Sequence, residues 1–232
     1  MALVKFGPGI VDARGSVAGV VFSKNSTSHY MRARVKPVNP DTEFQQVIRA
    51  AMAELTDRWG QVLTALKRTS WEMYATNVTV KNKLGEAVNI SGFNHYLRSN
   101  IIRLQAGLAP IDDGPVIWQL AEQDPDLEIT ASQAGPSITV NFNILLPWVK
   151  ETGAYMFKYQ GIPQNPQRNF FNGPWRYMDK IAGVDSTGAE TPDVEVPVLT
   201  ITELQRQWIY ARIGRLDGRL SEPFSANCFV GA

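Results

Sequence analysis

Two histidines and one cysteine are the side chains of this sequence best suited to acid–base or nucleophilic chemistry. His29 or His95 could complete a Ser-His-Asp triad, and Cys228 could act as a nucleophile. The motifs that usually place such groups, HExxH, CxxC and GxSxG, do not occur in the chain. We therefore expect both histidines to be partly exposed and hydrogen-bonded, and Cys228 to be a buried and unreactive thiol.

Two pairs of acidic residues could offer oxygen ligands to a cation. They are Asp112-Asp113 and Asp124-Pro125-Asp126, and hard cations such as Ca²⁺ prefer clustered carboxylates. The D-x-[DN]-x-[DN]-G spacing of a calcium loop is absent, so we expect these acids to be solvated in loops. The chain also lacks the GxxxxGK[ST] phosphate loop, and no GxGxxG segment follows a strand-like run. The sequence thus predicts no catalytic residue, no metal site and no cofactor, and we do not expect an enzyme.

An aromatic and basic segment, 165–177, is a candidate binding surface. It contains Phe170, Phe171, Trp175 and Arg176, and two prolines interrupt it. The bases of a single-stranded nucleic acid, or sugar rings, could stack on such side chains. Trp, Tyr and Arg also dominate the contacts between subunits. We favour a subunit interface, with nucleic-acid or glycan binding as the alternative.

Basic residues near the N-terminus form a second candidate interface, which consists of Arg14, Tyr30, Arg32, Arg34 and Lys36. The last four occupy alternate positions and would project from the same side of a strand. They could contact phosphates, since backbone contacts to nucleic acid need only positive charge. They could equally contact an acidic surface on a neighbouring copy. We favour the contact between subunits and do not expect nucleic acid as a partner.

The net charge of +1 conceals a gradient along the 232-residue chain. Residues 1–40 carry six Lys or Arg and one Asp, which gives a net charge of +5. Residues 41–110 have a net charge of +2, and residues 111–232, with nine bases and fifteen acids, have a net charge of −6. A basic arm joined to an acidic domain suits contact between copies or with an acidic partner.

A change of residue periodicity divides the first half of the chain into two parts. Residues 1–40 predict an extended β-ribbon arm that contains too few apolar residues to form a core of its own. Residues 41–110 predict a small helical unit with a hairpin between 78 and 90. Its first helix, over 42–66, begins at a capping box made by Thr42 and Gln45. A second helix should open near Thr69 and Ser70, and a third is predicted over 93–105.

Residues 111–232 form the third part and predict a β domain after a linker at 110–115. Candidate strands span 127–131, 137–144, 154–160, 175–184, 196–201, 207–215 and 220–230. The second of them alternates apolar and polar residues up to Ile144, and Asp217-Gly218 is a hairpin signal between two of the others. The number and spacing of strands favour an immunoglobulin- or fibronectin-like β-sandwich. The fold class predicted for the whole chain is therefore α+β.

No targeting segment or membrane span is recognised in the sequence. Gly7 and Pro8 interrupt the N-terminal apolar run before the core of a signal peptide could form. No apolar run approaches the ~20 residues that cross a bilayer. We expect a chain that is made in the cytoplasm and has no membrane partner.

Three segments of the N-terminal half carry a resemblance to a known family. They are the glycine-punctuated run 15–23, the run 30–42 with its Y-x-R-x-R and V-N-P-x-T elements, and a helix that contains Gln45, Gln46 and Arg49. Together they resemble a poorly characterised family of structural proteins from tailed bacteriophages and prophages. Trp71 and the segments 92–100 and 217–224 are also similar. The resemblance is clear over residues 1–108 and weak over the remainder.

The resemblance implies a virion component or another assembly component, and the family has no assigned enzymatic site. Such a chain would be synthesised in the host cytoplasm and would reside in the virion. Its partners would be other copies of itself and other virion proteins, above all the major capsid protein. A capsid cement or decoration protein that binds across subunits of the head best fits an arm attached to a small body. A tail, neck or baseplate component is the alternative within this class, and a nucleic-acid- or glycan-binding module is the alternative from another class.

Overall fold

The protein has a mixed α+β architecture in which strands outnumber helices. A computed structural model describes residues 2–25, 27–36, 38–82, 84–185 and 187–231. Within these ranges the chain forms a four-stranded N-terminal sheet, three α-helices with a two-stranded hairpin, and a seven-stranded sheet that is nearly closed.

The N-terminal strands are short and antiparallel. They are β1 (Ala2–Val4), β2 (Gly15–Val17), β3 (Val20–Lys24) and β4 (His29–Ala33), in the order β1-β4-β3-β2. Ala18 and Gly19 connect β2 to β3 with positive φ angles of 44° and 84°, as a tight two-residue hairpin requires. The predicted β-ribbon arm is therefore a four-stranded sheet, in which β1 and β2 pair with the outer edges of β4 and β3.

Three helices follow, and each begins at a side-chain cap. They are α1 (Glu43–Asp57), α2 (Ala65–Asn77) and α3 (Gly92–Gln105), capped by Thr42, Thr64 and Ser91. The capping box between Thr42 and Gln45 is confirmed. The single helix predicted over 42–66 is wrong, because a π-helical turn (Arg58–Val62) ends α1 and Leu63 is extended. The Thr64 side chain then accepts the Lys67 amide and starts α2 before the predicted Thr69.

A small hairpin joins α2 to α3. Its strands are β5 (Val80–Lys81) and β6 (Ala87–Val88), and the Gly85 amide donates to the Asn82 carbonyl across the turn. The hairpin predicted between 78 and 90 is thus confirmed, although Lys83 at its turn lies outside the described residues.

The remaining strands form a single sheet with the order β10-β9-β12-β13-β7-β8-β11. Its members are β7 (Glu128–Ser132), β8 (Ser137–Asn141), β9 (Tyr155–Gly161), β10 (Trp175–Ala182), β11 (Asp193–Glu195), β12 (Arg206–Gly214) and β13 (Phe224–Gly231). All neighbouring pairs are antiparallel except β13 and β7, which are parallel. The sheet folds over a core that includes Ile138, Val140, Met156, Ile209 and Ile213. As a result, β11 at one end approaches β9 near the other end.

Several predicted strand bounds are wrong. β8 ends at Asn141, and Ile144 beyond it is 50% exposed instead of continuing the buried face. The strand expected at 196–201 is replaced by β11, which lies earlier in the chain, and β13 begins at Phe224 instead of 220. Asp217-Gly218 does lie in a turn, with φ of 91° at Gly218. β-propensity located the extended regions but not the residues at which the strands end, because those ends depend on pairing with neighbouring strands.

The helical unit packs against the outer face of the seven-stranded sheet. Ile102, Ala106 and Leu108 contact Phe157 and Tyr159 of β9. Arg98 of α3 also donates to the Ser221 carbonyl at 3.2 Å, and burial lowers the pKa of this arginine to about 10. Side chains on one face of α3 thus attach the helices to the β domain.

The segment predicted as a linker is firmly packed. Ile111 and Asn100 exchange two hydrogen bonds, of 2.7 and 3.0 Å. Arg58 donates twice to the half-buried Asp112 carboxylate. The expectation of solvated acids is therefore wrong for Asp112. It is also wrong for Asp124, which is buried and accepts the amides of Asp126 and Asn143.

His95 is buried in the helical unit, so the expectation of a partly exposed histidine is wrong for this residue. It is 2% exposed and lies edge-on against Tyr74, with ring centroids 5.0 Å apart. Burial and the nearby Arg98 charge lower the pKa of His95 to about 4, although a backbone hydrogen bond at Val78 opposes the shift.

We expect His95 to make the protein less stable in acid. Its folded-state pKa lies below the ordinary value of 6.5, so the unfolded chain takes up a proton that the folded chain does not. The contribution to stability is complete above the ordinary pKa, and about 3 kcal/mol is lost as the pH falls to the folded pKa. Urea unfolding near neutral pH and near the folded pKa measures this loss. His95→Gln should lose less stability over the same interval, and an equal loss in both proteins would contradict this assignment.

Candidate functional site

One face of the N-terminal sheet is largely apolar and contains no buried residue. We call β1–β4 the arm sheet. Cross-strand partners lie on the same face of a sheet, and the register therefore places seven small or apolar residues together, namely Ala2, Gly15, Val17, Val20, Phe22, Met31 and Ala33. Val4, Lys24 and His29 lie at one end of the same face. None of the seven is buried: Val20 and Phe22 are half-buried, and the other five are exposed, Val17 to 66%. The first buried residue of the described chain is Ala51 in α1.

The opposite face of the arm sheet carries part of the predicted basic interface. Arg32 lies opposite Val21, and the half-buried Tyr30 lies between Leu3 and Ser23. Arg34 and Lys36 follow β4 and are not part of the strand. Arg32, Arg34 and Lys36 are exposed and form no ion pair with any residue that the structure describes.

The fifth basic candidate is already paired. The Arg14 guanidinium lies 3.2 Å from Asp12, which also faces His29 at 3.0 Å. His29 in turn packs edge-on against Phe6. These contacts lie at one end of the arm sheet. An exposed ion pair between Lys5 and Glu86 connects the arm sheet to the β5–β6 hairpin.

An aromatic cleft of about 720 Å³ lies between the helical unit and the outer face of the seven-stranded sheet. It is lined by Thr42, Phe44, Gln45, Ile48, Arg49, Ile102, Gln105, Tyr159, Trp175, Arg176, Tyr177 and Tyr210. Trp175 and Tyr210 lie with ring centroids 5.2 Å apart, and the Arg176 guanidinium stacks 4.5 Å from the Phe44 centroid. Burial raises the pKa of Tyr159 and Tyr177, so both phenols stay protonated at neutral pH.

The predicted aromatic segment is divided between the cleft, the core and the surface. Trp175 and Arg176 line the cleft, whereas Phe170 is 70% exposed. Phe171 is buried edge-on against Trp175. Its ring occupies the space beside Gly161 where a Cβ atom would lie, which explains the glycine at the end of β9.

The nine predicted interface residues therefore fall into two groups. Among the described residues, no hydrogen bond, ion pair or ring contact joins the arm candidates to Phe170, Phe171, Trp175 or Arg176. Sequence reasoning missed the contributions of α1 and α3 to the cleft, notably Phe44 and Gln105. The aromatic alternation of Tyr155, Phe157 and Tyr159 was a signal that the outer face of this strand is also covered.

Cys228, the candidate nucleophile, belongs to neither the arm sheet nor the aromatic cleft. Cys228 is half-buried, and burial raises the pKa of its thiol to about 11, which disfavours a thiolate. Within the described ranges, no cluster of three or more His, Cys, Asp or Glu is arranged to hold a metal ion. No helix in those ranges is both long and apolar enough to cross a bilayer.

Comparisons with known proteins do not show the family of this chain. No family model matches it. A segment is similar to the ribose import ATP-binding protein RbsA of Bacillus licheniformis, with 32% identity over 85 residues. The similarity covers 33% of this chain and 17% of that protein. Because so little of either chain is included, this likeness carries no argument about fold or activity.

Proposed function

We propose that this chain is a bacteriophage virion structural protein, and specifically a capsid cement or decoration protein. The uncovered apolar face of the arm sheet carries the proposal. A sheet of four short strands with no buried residue gains little from the hydrophobic effect by itself. In the proposed role, a neighbouring subunit of the assembled particle covers this face.

The edges of the arm sheet suit the same role. β1 and β2 are the edge strands, so each presents backbone groups that can pair with a strand of another chain. Arg32, Arg34 and Lys36 supply unpaired positive charge, while residues 111–232 have a net charge of −6. Partners within the particle are therefore other copies of the chain and other virion proteins, among which the major capsid protein is the foremost candidate.

The seven-stranded sheet is proposed to be an immunoglobulin- or fibronectin-like sandwich. The strands β10-β9-β12-β13 form one layer in this assignment, and β7-β8-β11 form the other. Two register pairs, Val230 with Ala131 and Gly231 with Ser132, join β13 to β7 and so connect the two layers. Such a body projects from or bridges subunits in the proposed role, and the arm sheet provides attachment.

A tail, neck or baseplate protein is the alternative position within a virion. Such a protein would also attach through the arm sheet, but a tail, neck or baseplate subunit would cover the apolar face instead of a head subunit. A glycan- or nucleic-acid-binding module is the second candidate function, and the aromatic cleft favours it because Trp175 and Tyr210 offer stacking surfaces beside Arg176. DNA binding by this cleft would weaken steeply with salt. If no DNA binding is measured at low salt, the nucleic-acid form of this alternative is excluded.

Mass spectrometry of purified particles tests the proposed function. Particles from a host that carries the gene should contain the chain at a constant ratio to the major capsid protein through successive density gradients. Recovery of the chain only in the fraction without particles would contradict a virion role. Separation of heads from tails before the measurement distinguishes the decoration protein from the tail, neck or baseplate component.

A further inference from the structure

A lysine lies inside the β domain, where an apolar residue would be expected. Lys158 occupies the middle of β9, and its side chain is 0% exposed. It faces the same side of the sheet as Met156, and its cross-strand neighbour on β12 is Ala211. A buried ammonium is costly unless it has well-placed partners.

The partners of this lysine are two carboxylates on the opposite end of the sheet. Asp193 and Glu195 belong to β11 and, two residues apart, point to the same side of the strand. The Lys158 Nζ atom donates to Asp193 Oδ2 and, at 2.9 Å, to Glu195 Oε1. Both carboxylates are about three-quarters covered, with side-chain exposures of 25% and 23%.

The surroundings of the cluster exclude most water. Asp193 pairs with Val140 and Glu195 pairs with Ile138, and both of these β8 residues are fully buried. A primary amine and a carboxyl group held in contact, with the amine fully buried and the carboxyl group about three-quarters covered, are the two reactants of amide formation. Their proximity removes the entropic cost of bringing them together.

We propose that Lys158 and Asp193 join in an intramolecular isopeptide bond. The Lys158 ammonium gives one proton to the Asp193 carboxylate, and the lone pair of Nζ then attacks Asp193 Cγ so that an N–C bond forms. Glu195 accepts a proton from Nζ and returns a proton to the departing hydroxyl group. The Cγ–O bond breaks and one water molecule leaves, so no oxidant, cofactor or energy source is consumed.

Glu195 suits the proton-transfer role because its Oε1 atom lies 2.9 Å from Nζ. After the condensation, the new amide retains one N–H, and the Glu195 carboxylate is placed to accept it. The linkage also removes a buried ammonium and one of its two partly covered carboxylates, and it therefore lowers the cost of desolvated charge. This inference does not depend on the proposed virion role.

The bond would close the sheet covalently. β9 and β11 lie in different halves of the strand order, separated by β12, β13, β7 and β8. The three-residue β11 forms three register pairs with β8 and lies at the end of the sheet. A link to β9 would hold this short strand in place and resist opening of the sheet by heat or force.

Intact-mass spectrometry of the purified full-length protein tests the proposal. We expect a mass that is one water molecule below that of the sequence, after allowance for removal of Met1. A tryptic digest should contain residues 151–168 joined to residues 181–206, with no cleavage after Lys158. A mass equal to that of the sequence, with the two peptides separate, would overturn the proposal and leave a non-covalent ion pair.

Variants identify the reacting groups. Lys158→Ala and Asp193→Ala should restore the full mass, and Glu195→Gln, which preserves the size of the side chain, should also leave the chain unlinked. Asp185→Ala, an exposed acid outside the cluster, is the matched control and should retain the link. Water loss at Asp217-Gly218 by succinimide formation would leave the tryptic peptides separate, so that result also counts against the cross-link.

Discussion

Removal of residues 1–36 should leave the body folded and abolish incorporation into particles. No described residue of this segment is buried, and the ion pair that connects it to the hairpin, Lys5 with Glu86, is exposed. We expect the thermal midpoint to change by no more than about 3 °C, the equivalent of about 1 kcal/mol for a chain of this size. The number of copies incorporated per particle should fall more than about tenfold, because a loss of 1.4 kcal/mol of binding free energy weakens affinity about tenfold.

Point substitutions on β3 provide the matched test of the uncovered face. Phe22 and Ser23 are adjacent and project from opposite faces of the arm sheet. Phe22→Asp places a charge on the apolar face and should reduce incorporation as strongly as the deletion. Ser23→Asp changes the charge equally on the other face and should reduce it much less. Equal incorporation of the two variants, or full incorporation of the truncated chain, would refute the role of this face.

Trp71→Ala should cause the largest loss of stability among single substitutions in the helical unit. The Trp71 side chain is 0% exposed and contacts Tyr74 and Tyr96 edge-on. Its Nε1 donates to the Asp112 carbonyl at 3.0 Å. Truncation of a buried tryptophan costs about 3–5 kcal/mol, because it removes both this packing and the hydrogen bond.

The effect should extend to the β domain. The Trp71 ring lies against Gly218 in the β12–β13 turn, where an added Cβ would approach its Cη2 atom at 3.1 Å. We expect the thermal midpoint to fall by about 10 °C, with far- and near-ultraviolet circular dichroism decreasing together. Trp118→Ala is the control, since Trp118 is 46% exposed, and it should change the midpoint by little. Similar midpoints for the two variants would show that Trp71 does not join the two parts.

Local signals predicted much of the fold. The Thr42–Gln45 capping box, the apolar steps of the helices and the Asp217-Gly218 turn depend on neighbouring residues, and the structure contains all three. The break between α1 and α2 was missed because the apolar spacing continues through it. The Thr64 cap, which starts the second helix, is the local signal that could have located the break.

The candidate surfaces were less accessible to sequence reasoning, because they depend on residues distant in the chain. The aromatic cleft combines Phe44, Gln105 and Tyr210 from three separate elements. The apolar face of the arm sheet could be recognised only from the register of β1 and β2. These strands have three residues each, too few for an alternating pattern to be detected in the sequence. Lys158 had no recognised partner in the sequence, since Asp193 lies 35 residues away.

A cryo-electron microscopy reconstruction of the purified particle tests the central claim most directly. The account predicts density for this chain at a fixed stoichiometry, with Val17, Phe22 and Met31 of the arm sheet covered by a neighbouring subunit. A particle without the chain would contradict the account. So would a particle in which the chain is present and this apolar face points into solvent.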